Sequence, residues 1–93
     1  MTDDIEAMVA KLHDHLVATA ELPIDREANR WIGEAEAIAG DLVGTGVDHS
    51  VVHERVAHIV DLLEHVEETG NRSADEHIEA AKTLAERTLE TVE

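Results

Sequence analysis

Cysteine is absent from the chain. That removes disulfides, thiolate zinc sites and cysteine nucleophiles together. Phe and Tyr are absent too, and Trp31 is the only aromatic of that class. Lys and Arg total 7, and only Lys11 and Lys82 are lysines. A chain with scattered cations and no stacking platform is not expected to bind nucleic acid directly. No apolar run approaches the ~20 residues that span a bilayer, so no membrane segment is expected. The opening "MTDDIEAM" is acidic and predicts no signal peptide. A soluble, cytoplasmic protein is the expectation. Serine occurs only as Ser50 and Ser73, both at helix starts. "GTG" at Gly44 to Gly46 lacks the lysine and the remainder of a phosphate loop, and reads as a helix stop and turn. No catalytic constellation stands out, so neither an enzyme nor a cofactor is expected. Carboxylates are so common that no single pair points to acid–base catalysis.

What the chain has in abundance is negative charge. Asp and Glu total 22 in 93 residues, and the formal net charge is −15. One domain with one small core suits this length. An acidic surface can mimic nucleic acid or receive a basic partner. It is also what a protein in molar salt needs. There the Debye length falls to about 3 Å, so self-repulsion is screened and carboxylates keep the surface hydrated. Carboxylates spread along every segment, few lysines and a core of Ala, Val and Leu favour the second reading. A decoy would want its carboxylates in rows on one face, whereas here they surround every helical segment. In "TDDIEAMV", "IGEAEAIAGDLVG" and "SADEHIEAAKTLAERTLE" the chain resembles the small acidic uncharacterised proteins of haloarchaea. The resemblance spans the chain, rests on composition and helical texture, and implies an environment rather than an activity.

Apolar periodicity divides the chain into four helices, at about 3–20, 25–43, 48–69 and 73–92. Ile5, Met8, Val9, Leu12 and Leu16 form the first stripe. Thr2 or Asp3 caps it, and Asp3, Asp4 and Glu6 complement its dipole. Pro23 ends it by pushing Leu22 out of helical geometry. Asp25 caps the second, whose stripe is Ala28, Trp31, Ile32, Ala35, Ile38, Ala39, Leu42 and Val43. Asp48 caps the third, with Val47 and Val52 as a hydrophobic staple. Val52, Val56, Ile59, Leu63 and Val66 alternate steps of four and three, a heptad seam, and Gly70 is the stop. Ser73 and Glu76 form a capping box for the fourth. Its stripe is Ala74, Ile78, Ala81, Ala85, Leu89 and Val92, with Leu84 and Thr88 at one edge. Short connections favour antiparallel neighbours. The expected fold is all-α, an up-down-up-down four-helix bundle. The alternative is helical hairpins that complete their core as a homodimer.

Four of the seven histidines fall in "HSVVHERVAHIVDLLEH". With Val52 at the centre of the buried stripe, His58 and His65 lie at roughly 240° and 220°, on the polar face. With Glu54 and Asp61 they make a solvated row of weak helical pairs. His49 and His53, at roughly 60° and 100°, are four apart and able to reach one ion from one side. They are the metal candidate, with Glu90 or Asp41 as a third ligand. His77 falls inside the fourth stripe and His15 flanks the first, near the bundle end that carries Trp31. They read either as a buried proton-sensitive pair or as border histidines with one polar partner each. No histidine has Glu three residues before it, so the Glu-x-x-His di-iron pattern is disfavoured. Gly33, Ala37 and Gly40 lie opposite the second stripe. Glycine inside a helix costs roughly 1 kcal/mol against alanine, and small residues let another helix approach. They are the interface candidate, for a protein partner or a second copy.

Overall fold

The computed structural model describes residues 3–43, 48–66 and 68–91. They form α1 (Asp3–Ala20), α2 (Arg26–Leu42), α3 (His49–Glu64) and α4 (Arg72–Thr91). No strand occurs among the described residues. Contacts join α1 to α2, α2 to α3, α3 to α4 and α4 back to α1, with none across either diagonal among the described residues. The overall extents are 36 × 20 × 18 Å. A 20-residue helix is about 30 Å long, so the helices run along the long axis. The protein is an all-α four-helix bundle.

Each buried row repeats the four–three step that holds a helix against its neighbours. On α1 the row is Ile5, Val9, Leu12 and Leu16; on α2 it is Ala28, Ile32, Ala35, Ala39 and Leu42. On α3 it contains Val52, Val56, Ile59 and Leu63; on α4 it is Ala74, Ile78, Ala81, Ala85 and Thr88. The bulk is distributed by diagonal. α1 and α3 supply mainly Leu, Ile and Val, while α2 and α4 supply mainly Ala. The two bulky rows thus stand at opposite corners, each flanked by two helices whose buried rows are mainly alanine. The apolar rows are buried within one chain, without a second copy.

Local signals set most of the element ends, with four departures. Helix α1 stops at Ala20, ahead of Pro23. Asp25 and Asp48 stand at the N-cap positions of α2 and α3, yet neither side chain makes a cap hydrogen bond. Their carbonyls begin the ladders instead, accepting from Asn29 and from Val51 and Val52. Helix α3 ends at Glu64 rather than at the expected position 69. Backbone bonds from His65 to Leu62 and from Val66 to Leu63 tighten its last turn, the 3₁₀ geometry that closes helices. Helix α4 is capped by Asn71 rather than Ser73, its Oδ1 accepting from the Ala74 N–H at 3.1 Å. Thr88, not Leu89, occupies the buried row. Its hydroxyl donates to the Leu84 carbonyl at 2.8 Å, so it packs like a valine with its polar atom satisfied inside the helix. Thr2, Gly44, Gly46, Val47 and Val92, named above as cap, stops, staple and stripe, lie outside the described residues.

Candidate functional site

Among the described residues, the end of the bundle where α1 and α3 finish and α2 and α4 begin carries a connected network of polar side chains. Thr69 is its centre and is fully buried. Its N–H donates to Asp75 Oδ1 at 3.0 Å and its hydroxyl to the same oxygen at 2.7 Å. The hydroxyl also lies 2.9 Å from the Asn71 carbonyl and accepts from the Asn71 N–H at 3.1 Å. A hydroxyl has one proton, and the shorter contact to a carboxylate is the stronger claim on it. The Thr69 hydroxyl, and secondarily its N–H, hold the Asp75 carboxyl below its ordinary pKa. On its other side the Thr69 carbonyl accepts from the Asp25 N–H at 2.7 Å. Gly70 follows at φ +83°, and a β-carbon there would meet Asp25 Oδ1 at 3.0 Å. This left-handed turn against a neighbour's carboxylate suits glycine alone.

Beside this loop, Trp31 of α2 stacks on His65, with ring centroids 4.4 Å apart and 22° between planes. The Arg30 guanidinium lies 5.5 Å from the Trp31 centroid, within cation–π range. His65 Nδ1 pairs with the Asp61 carbonyl at 2.9 Å. The ring stays exposed, like Glu54 and His58, while one of its faces packs on Trp31 of α2. Sequence reasoning missed this because the stacking partner sits on a different element. Trp31, His65, Ala28 and Val66 with Asp25, Glu27 and Glu68 line an open groove of about 450 Å³.

His15 and His77 come together across α1 and α4. Their Nδ1 atoms are 2.9 Å apart and both rings are half-buried. Both sequence readings had part of this: each histidine is a border residue with one polar partner, and that partner is the other histidine. His49 and His53 are exposed on the first turns of α3, at the opposite end of the bundle. Among the described residues, no group of three His, Asp or Glu converges on a point able to hold a metal ion. Gly33 and Ala37 are exposed on α2. A β-carbon at Gly33 would meet nothing within 4 Å, whereas one at Gly40 would meet His13 Nε2 at 3.3 Å. Gly40 thus has a reason inside the chain, the close approach of His13, and Gly33 has none.

These features define a small acidic helical-bundle protein in which a polar network joins the starts of α2 and α4. No helix among its described residues is long and apolar enough to cross a membrane. Residues 8–93 match the family described as Domain of unknown function (DUF8152), and the chain belongs to that family. No curated protein and no solved structure matches it.

Proposed function

We propose that the protein is a non-catalytic helical module of a halophilic, haloarchaeal-type cytoplasm that associates with a second copy of itself or with a protein partner. The observation that carries this reading is Gly33. It sits within α2, where a methyl added to its α-carbon would find nothing to touch within 4 Å. Glycine there weakens the helix by roughly 1 kcal/mol, and packing inside the chain gives no return. Ala37, one turn on, is exposed as well. Together they make a smooth strip against which another helix backbone can lie. Val43 is the only large hydrophobic residue exposed among the described ones. The contact is therefore one of close helix approach and polar rims rather than a greasy patch.

Light scattering on the protein in molar potassium chloride tests the self-associating form. A mass of two or more chains, falling to one in Gly33→Arg, is expected. A strictly monomeric protein that also retains no partner from host extract would remove the proposal. The charge supports the environment, since a formal −15 on this small surface is tolerable where salt screens it. A second reading rests on His49 and His53, both exposed one turn apart, as a surface site for a transition ion. Loss of metal binding in His53→Ala is its signature, and calorimetry with no heat of binding at neutral pH ends it.

A further inference from the structure

The His15–His77 pair unites two residues separated by 62 positions in the sequence. Their ring centroids are 5.2 Å apart with 48° between planes. As a hydrogen bond, the contact needs one ring carrying its proton on Nδ1 and the other carrying it on Nε2. When the donor ring carries its proton on its own Nε2 instead, both Nδ1 atoms present lone pairs to the gap between the rings. Metal–imidazole bonds are about 2.0–2.1 Å long, so two cis nitrogens on one ion stand about 2.9 Å apart. The pair is held at that spacing by the packing of α1 on α4. His77 is half-buried at the border of the α4 row, beside the buried Ile78.

We propose that His15 and His77 form a two-histidine site for a divalent transition ion, distinct from the surface pair on α3. An imidazole-only donor set selects the borderline class, in the order Cu(II) above Ni(II) and Zn(II). On both helices the positions one turn from the pair carry no carboxylate, so water completes the coordination. Both rings are only half-buried, which leaves that water a way in. No carboxylate among the described residues hydrogen-bonds either ring, and such outer partners ordinarily add 10–100-fold in affinity. The site is therefore of moderate strength and exchanges its ion. Binding ties the first helix to the last, along the seam that closes the ring of four.

The test is calorimetric titration of the untagged protein with Cu(II) and Ni(II) near pH 7.5. The comparison set is wild type, His15→Gln, His77→Gln and the double variant His49→Ala/His53→Ala. One equivalent bound, weakened at least tenfold by either glutamine and unchanged in the double alanine, is the expected result. Binding that survives both glutamine variants, or that disappears only in the double alanine, overturns the proposal, as does absence of binding to wild type. The first two outcomes also separate this site from the α3 pair. Where a glutamine variant fails to fold by circular dichroism, ring-nitrogen NMR of the wild type with Zn(II) decides. Shifts at the Nδ1 atoms of His15 and His77 support the site, and shifts confined to other histidines refute it.

Discussion

At the scale of single residues, the organising group is a threonine. Thr69 gives Asp75 two hydrogen bonds and lowers its pKa. A carboxyl whose pKa is lower folded than unfolded stabilises the native state above its unfolded pKa, and that contribution fades on acidification through the folded value. The window is acidic, below about pH 4, the ordinary range of aspartate. In urea unfolding at pH 7 and below pH 4, wild type is expected to lose on acidification a contribution that Thr69→Val lacks, so the stability gap between them narrows in acid. Asn71 is the cap of α4, and Asn71→Ala is expected to cost about 0.5–2 kcal/mol in the same assay. The sequence offers two overlapping cap registers, Asn71 and Ser73. Both are good local signals, and local signals cannot choose between them. The choice falls to Thr69, whose bonds to Asn71, Asp75 and Asp25 fix where the chain turns. The exposure of His65 was legible, but its stack on Trp31 was not, since a position on the α3 helical wheel says nothing about a neighbouring helix. The His15–His77 contact was half legible: both lie near the same bundle end, but only the packed helices fix the distance.

At the scale of helices, most of the four–three spacing was plain in the sequence and is buried, except that Val43, read as part of the α2 stripe, is exposed just beyond the helix end, and Thr88 replaces Leu89 in the α4 row. The division of bulk between the two diagonals was not legible, because it depends on which helices become neighbours. It makes unequal demands on substitution. Leu63→Ala, in a fully buried position on a bulky helix, is expected to cost about 2–5 kcal/mol by denaturant unfolding. Ala35→Leu, on a thin wall, is expected to cost about 1–3 kcal/mol by overpacking. Gly33→Ala differs from both. With nothing for the added methyl to strike, it is expected to stabilise the monomer by up to about 1 kcal/mol. The same change weakens association by holding the partner helix away, which light scattering reads. Helix α3 shows the limit of periodicity. Val66 continues the heptad step and is buried, although the helix has already ended at Glu64. A residue can keep the spacing of a helix while reaching the core from a loop.

At the scale of the whole molecule, charge opposes compactness. A net charge of −15 repels over about 10 Å at 0.1 M salt but only about 3 Å at 1 M. Thermal unfolding is expected at a higher temperature in 2 M than in 0.1 M potassium chloride. A flat dependence on salt would remove the halophilic reading while leaving the bundle untouched. The bundle itself was legible because short connections leave sequential helices few options other than lying side by side. Function was much less so, because the chain carries no motif whose spacing dictates a chemistry.

The Thr69 loop has a kinetic consequence. The Asp25 amide donates to the Thr69 carbonyl, and the Thr69 amide donates to Asp75. The start of α2 is thereby fastened to the start of α4 through one residue. Neither amide reaches solvent without disturbing the threonine they share, so the two are expected to exchange their protons for deuterium together, as one opening unit. A bundle built of four rods then breathes at this end as a single joint.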